Sequence, residues 1–179
     1  MRTFVNMFSL ESLSEVELII FDFDGVFTDN TVYISQDNRE SVRCWRSDGL
    51  GLQKLRDIGV KLHIVSSEVN PIVTLRAQKI NVDCLQGVIN KAKAVEAICA
   101  KYSIQERNAM FVGNDINDIS ALEIVGFPVG VADSYEEIYP YILYRTKRAG
   151  GMGAVRELCD AVFDAKKKLT KSEISKISI

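Results

Sequence analysis

Five short apolar runs, nearly unbroken and rich in β-branched residues, recur along the chain: Val16 to Phe23, Val60 to Ser66, Val82 to Gln86, Ala109 to Gly113 and Phe127 to Val131. Runs of this length, bounded by turn or polar residues, read as strands buried on both faces. Between them lie segments with helical spacing: Leu50, Leu52, Leu55 and Ile58; Val69 to Lys79; Ala92, Val95, Ala97 and Ile98; and Ile116 to Val125. Buried strands alternating with crossover helices predict an α/β fold with a doubly wound parallel sheet. In such a sheet, sites form beyond the carboxyl ends of the strands.

One segment interrupts the alternation. After Gly25, the apolar stretches Thr31 to Ile34 and Ser41 to Trp45 flank a polar turn, which predicts a β-hairpin, at about 30–46, inserted between the first strand and its helix. It is too small to be a domain, so one domain over 1–179 is expected. A helix is predicted over Val155 to Ala165, and the Lys- and Ser-rich tail from Lys166 to Ile179 is read as mobile or docked on a neighbouring subunit.

Composition narrows the classes. Twenty-two basic against 24 acidic side chains leave a net charge of −2, which argues against a nucleic-acid binder. No stretch approaches the ~18 consecutive apolar residues of a membrane span, and Glu11 breaks the N-terminal apolar run, so a cytoplasmic protein is expected. Cys44, Cys84, Cys99 and Cys159 form no CxxC pair and read as reduced thiols. The single histidine, His63, lies inside an apolar strand and reads as structural.

The chemistry is concentrated where strands stop. Asp22-Phe23-Asp24-Gly25 follows the run LIIF. Two carboxylates two residues apart share one side of a strand, and burying both is costly unless a cation or hydrogen bonds compensate. A hard divalent ion is one answer; the other is that both cap the following turn. Gly113-Asn114-Asp115-Ile116-Asn117-Asp118 follows the fourth run. Asp115 there is either an N-cap or, if the two strands are parallel neighbours, the partner of Asp22 in an oxygen-ligand Mg²⁺ site. Ser66, at the end of its strand, offers a hydroxyl, and the Ser67 amide leads towards a helix N-terminus that favours anions. Lys91 opens a helix, where the dipole disfavours a cation unless an anion faces it. Taken singly, each of these reads more readily as a solvated turn serine or a surface lysine.

The ordered set DFDGVFTD, IVSS, Lys91 and GNDINDISAL resembles the four motifs of the haloacid dehalogenase superfamily of phosphotransferases. The hairpin, SDGLGLQKL, SSEVNPIVTLRAQKI, QGVINKAKAV and GGMGAVRELCD are similar to its capless sugar-acid phosphatase branch, the one containing the 3-deoxy-D-manno-octulosonate 8-phosphate phosphatases. They are equally similar to the phosphatase-type domain of some acylneuraminate cytidylyltransferases. The resemblance implies a Rossmann-like sheet with an inserted hairpin and no cap domain. It implies that Asp22 is the nucleophile and Asp24 the general acid and base, with Ser66 and Lys91 stabilising the phosphoryl group. Asp22, the Asp24 carbonyl and Asp115 would hold Mg²⁺, with Asn114 and Asp118 in support and Asp118 orienting Lys91 or metal-bound water. It also implies a homotetramer joined through the hairpins, a neighbour covering the open site.

Selectivity is expected from Ser67, Glu68 and Arg156. Octulosonate phosphatases of the branch show Ser-Gly-Arg at the second motif, whereas this chain has Ser66-Ser67-Glu68. A glutamate repels a carboxylate and accepts hydrogen bonds from hydroxyls or an amide. That pattern resembles the nonulosonate-type members and implies a nine-carbon sugar acid 9-phosphate; octulosonate 8-phosphate is the alternative. Glu68 is otherwise a dipole-favoured acid before a helix. Arg156, after the glycines 150–153, meets a carboxylate or phosphate, or else pairs with Glu157 or Asp160. A different class of function remains open, a non-catalytic tetramerising partner of a cytidylyltransferase.

Overall fold

The computed structural model describes the backbone of residues 10–177 and the side chains of residues 12–168. The chain begins with a short helix α1 (Leu10–Leu13), then β1 (Leu18–Phe21) and the hairpin strands β2 (Thr28–Ile34) and β3 (Glu40–Cys44). Next come α2 (Asp48–Asp57), β4 (Lys61–Val65), α3 (Ile72–Ile80), β5 (Asp83–Leu85) and α4 (Lys91–Tyr102). The last part comprises β6 (Ala109–Gly113), α5 (Ile119–Leu122), β7 (Phe127–Gly130), β8 (Tyr144–Arg145) and α6 (Ala154–Ile177). The main sheet has the order β5-β4-β1-β6-β7-β8, every pair parallel. The hairpin is a separate antiparallel two-stranded sheet. Among the described residues no helix is long and apolar enough to cross a membrane.

Alternation along β1 explains why its apolar run is continuous. Ile19 and Phe21 enter a core with Leu52, Leu55, Val73, Val155 and Leu158 from α2, α3 and α6. Leu18 and Ile20 enter a second core with Val95, Ile98, Ala121 and Leu122 from α4 and α5. Both faces of the sheet are thus covered, as the apolar runs require. The same parity, carried one residue past the strand, sends Asp22 to the α4 side of the sheet.

The strands are shorter than the apolar runs because Val16, Phe23, Val60 and Val82 are buried in the core without joining the ladder. The helix expected from Val69 begins at Ile72, after Pro71 at its N-cap, and residues 67–70 form a loop. The segment from Ile116 to Val125 divides into a 3₁₀ turn (Ile116–Asp118) and α5. In α2, Leu50 is 60% exposed, so the buried face is carried by Gly51, Leu52 and Leu55. The helix expected over Val155 to Ala165 runs on to Ile177, taking in most of the stretch read as a tail; its side chains from 169 onwards lie outside the described residues. The four cysteines are free thiols.

Candidate active site

Apart from Lys91 on α4, the residues that bear on chemistry hang from β1 and its two neighbours. β4 and β6 flank β1 in parallel register, so the residues just beyond their carboxyl ends, Asp22, Ser66 and Asn114, emerge on one edge of the sheet. Asp22 still receives the ladder: its N–H donates to the Val112 carbonyl at 2.9 Å. The chain then turns sharply, Gly25 at φ 76° donating its N–H to Thr28 Oγ1 at 3.0 Å. A Cβ on Gly25 would lie 2.0 Å from Asn114 Nδ2, so the two acidic segments are in direct contact there. The glycines 150–153 do give a close backbone approach, but to this same turn: a Cβ on Gly150 would lie 1.8 Å from the Gly25 carbonyl oxygen.

Beneath the turn runs a buried chain of charge. Lys91 Nζ lies 2.8 Å from Asp22 Oδ1 and 2.7 Å from Asp118 Oδ1. Lys91 opens α4 behind the N-cap Asn90, and it is 1% exposed. The anion needed to hold a cation at that helix end is therefore a pair of carboxylates. Asp118 turns its other oxygen to the Asn114 and Asp115 amides, at 2.8 and 3.3 Å, and so ties the β6 loop to Lys91. Asp115 is the N-cap of the 3₁₀ turn, its Oδ1 accepting the Ile116 N–H at 2.7 Å.

Burial, reinforced by the Asp118 charge and opposed by Lys91, pushes the Asp22 carboxyl up to about 7. Burial and then the Glu68 carboxylate raise Asp24 as well. For Lys91, burial opposes the charge, but the two carboxylates outweigh it and hold the ammonium above its ordinary value.

A cavity of about 260 Å³ opens over Asp22, lined by Asp22, Asp24, Ser66, Ser67 and Glu68, all expected from the sequence, together with Val69 and Asn117. Asn117 Nδ2 reaches Ser67 Oγ at 3.4 Å, joining the loops after β4 and β6. Nothing in the spacing singled out Asn117, although it lies inside the second acidic segment. Ser66 is buried; its Oγ accepts the Glu68 N–H at 3.1 Å and keeps a proton to donate. Because the helix begins at Ile72, the Ser67 amide does not sit at a helix N-terminus. Glu68 Oε1 accepts the N–H groups of Val69 and Asn70 at 2.7 and 2.8 Å, so half of its carboxylate serves its own loop.

Arg156 is not brought to this cavity. Its Nε pairs with Asp160 Oδ2 at 2.7 Å and its backbone N–H donates to Asp48 Oδ1 at 3.1 Å. It lines a separate hollow of about 560 Å³ with Trp45, Ser47 and Arg148. Pairing one turn along α6 has taken the guanidinium, whereas Glu157 is occupied by Tyr144 and the amides of Lys147 and Arg148.

Asp22 and Asp24 line the cavity and offer hard oxygens to a cation, whereas Asp115, also expected to hold one, is not among the lining residues. Among the described residues no three His, Cys, Asp or Glu side chains form a ready-made metal cage. Few side-chain ligands and open positions suit Mg²⁺, which keeps several waters, and not zinc.

Comparison with known proteins agrees with this geometry. A family described as haloacid dehalogenase-like hydrolases matches residues 54–155. A 3-deoxy-D-manno-octulosonate 8-phosphate phosphatase from Escherichia coli K12 is 32% identical over 159 residues, 88% of this chain and 85% of that one. The corresponding phosphatase from Moraxella catarrhalis, solved with magnesium, phosphate and a KDO molecule, superposes with a TM-score of 0.85 at 27% identity, covering 94% and 97% of the two chains. The Yersinia pestis enzyme of that name also gives 0.85, at 28% identity over 90% and 88%.

Proposed function

The chain belongs to the haloacid dehalogenase-like hydrolases and is a phosphoric monoester hydrolase; from that premise we propose that it is a Mg²⁺-dependent phosphatase of 2-keto-3-deoxy sugar acid phosphates, with a nonulosonate 9-phosphate as substrate. The observation that carries the reaction is the buried Asp22–Lys91–Asp118 chain, whose Asp22 end lines the cavity.

An Asp22 oxygen attacks phosphorus, and the bond from phosphorus to the ester oxygen breaks. Asp24, whose carboxyl is raised by burial, gives its proton to the departing alkoxide. A water then attacks the aspartyl phosphate while Asp24 takes its proton; the bond from phosphorus to Asp22 breaks, and phosphate leaves. Lys91 and the Ser66 hydroxyl stabilise the charge that spreads over the phosphoryl oxygens. Asp22, Asp115 and the Asp24 carbonyl would hold Mg²⁺, which would supply Lewis-acid stabilisation of the developing charge. Asp118 positions Lys91 and the β6 loop.

Substrate choice rests on Glu68, whose Oε2 is left over from the loop contacts to accept from a hydroxyl or amide of a nine-carbon sugar. The name carried by the relatives at 32% identity favours octulosonate 8-phosphate as the second reading. A purely scaffolding role would not need a buried lysine between two acids, since such an ion pair adds little net stability over apolar packing. Assembly through the hairpin is supported by Val32, Tyr33 and Ile34, three adjacent side chains that are 52%, 63% and 73% exposed. Solution mass tests the expected homotetramer, and a fully active monomer rejects it.

The decisive experiment is phosphate release from eight- and nine-carbon keto acid phosphates and from hexose phosphates, with Mg²⁺ and with a chelator. Metal-dependent preference for the nine-carbon ester is expected. Preference for the octulosonate selects the second reading, and preference for hexose phosphates overturns the substrate class.

A further inference from the structure

Gln86, on the connection between β5 and α4, lines no cavity described above and touches none of the carboxylates. Its side chain nevertheless reaches across to the loop that follows β4. Nε2 donates to the Val69 carbonyl at 2.8 Å and lies 3.5 Å from that of Asn70, while Oε1 accepts from Thr74 Oγ1 on the first turn of α3. The Val69 carbonyl, which can only accept, fixes which end of the amide faces the loop, and the Thr74 hydroxyl donates to the other.

The loop from Ser66 to Asn70 has no helix or strand to satisfy its backbone, so its polar groups must be paired individually. The Ser66 N–H still reaches the Leu85 carbonyl of β5 at 2.9 Å, and three amides beyond it are met from within the loop: Glu68 N–H by Ser66 Oγ, and Val69 and Asn70 N–H by Glu68 Oε1. Its carbonyls are met from the neighbouring connection: Glu68 O by the Gly87 N–H at 2.9 Å, Ser66 O by the Val88 N–H at 3.0 Å, and Val69 O by Gln86. Of these, Gln86 is the side chain that comes from outside the loop, and it holds the segment immediately after Glu68. Removing it frees the Val69 carbonyl, whose own amide orients the Glu68 carboxylate, while the Asn70 carbonyl keeps the Val73 N–H at 3.3 Å.

We propose that Gln86 is a positioning residue for substrate selection: bridging Thr74 to the Val69 carbonyl, it fixes the Glu68 loop over the cavity and sets which sugar phosphate is held there. The inference rests on the phosphatase reading and on Glu68 meeting the organic part of the ester. Chemistry at phosphorus depends on Asp22, Asp24, Lys91 and the Ser66 hydroxyl; Gln86 bonds to none of them, and Ser66 is held by its own backbone bonds to the Leu85 carbonyl and the Val88 N–H, so a small aryl phosphate should be insensitive to Gln86.

The test is Gln86→Leu, which keeps the bulk and removes both bonds, with Thr74→Val as a second variant that frees only the amide. Each is compared with wild type in two assays. Hydrogen exchange of the peptide spanning 67–71 should quicken about tenfold in Gln86→Leu, the equivalent of one lost hydrogen bond, while exchange elsewhere is unchanged. KM for whichever sugar phosphate the wild type prefers should rise by about the same factor, with a smaller rise in Thr74→Val and unchanged kcat/KM for p-nitrophenyl phosphate. Unchanged exchange at 67–71 overturns the clamp. A loosened loop with equal losses on both esters, or with no change in KM, overturns its role in selection. If wild type hydrolyses p-nitrophenyl phosphate but no sugar acid phosphate, the substrate reading fails, and the Gln86 comparison still stands on the preferred ester.

Discussion

Replacing Asp48 by Asn removes a charge that the fold accommodates poorly. Asp48 opens α2, is 1% exposed, and spends one oxygen on the Arg156 N–H; Oδ2 is buried without a hydrogen-bond partner. Burial lifts the carboxyl from 3.8 to about 6 against the pull of that N–H and of Arg76 and Arg156. A raised carboxyl means that the folded chain binds more protons than the unfolded one between those two values. The ionised form therefore carries a penalty that is absent below about pH 4 and fully present above about pH 6, worth roughly 3 kcal/mol. The substituted amide would keep an acceptor for the Arg156 N–H and never ionise. Thermal melts of both proteins between pH 4 and pH 8 should show equal Tm at the acid end, with Asp48→Asn higher by roughly 6–12 °C at pH 7.5 for a chain of this size. Other titrating groups are common to both proteins and drop out of the difference. A Tm difference that does not vary with pH, or a variant less stable at pH 7.5, refutes the reasoning.

Three further outcomes concern the site. Asp22→Asn should retain its circular dichroism and lose turnover to below about a thousandth of wild type, since the amide cannot form the aspartyl phosphate; measurable single-turnover phosphate release would exclude Asp22 as nucleophile. Lys91→Met should lower the unfolding free energy in urea by about 3–5 kcal/mol, because Asp22 and Asp118 lose the cation they share, and a loss below about 1 kcal/mol would mean that the two acids find other partners. Glu68→Arg should shift the relative kcat/KM towards octulosonate 8-phosphate by about tenfold or more, an arginine now facing the sugar carboxylate; an identical substrate profile would reduce Glu68 to its loop contacts.

The sheet was legible because burial on both faces leaves a mark that tertiary context cannot erase: LIIF is apolar throughout since Ile19 and Phe21 serve one core and Leu18 and Ile20 the other. The candidate site was legible for the same reason, since polar residues set directly against such runs, Asp22, Ser66 and Asn114, stand out. β8 was not visible, being two residues with no apolar run. Arg156 illustrates a different limit: its sequence neighbours offered several partners, and the i,i+4 acid Asp160 won over any approach to the cavity. Val69, Asn117 and Gln86 act through contacts between loops from different strand ends, and no periodicity records such contacts.

The hairpin leaves β1 and returns to α2 through a stem where Thr28 pairs with Cys44. That doorway is a single residue pair wide, and the arm beyond it has no place in the main sheet's ladder. An arm attached in this way can be lengthened, shortened or exchanged between chains without shifting the register of β1 against β4 and β6. What the molecule presents to its surroundings can therefore change while the strands that carry Asp22 stay fixed, although Glu40 ties the arm to the site, its Oε2 accepting from Asn70 Nδ2 on the Glu68 loop at 2.9 Å.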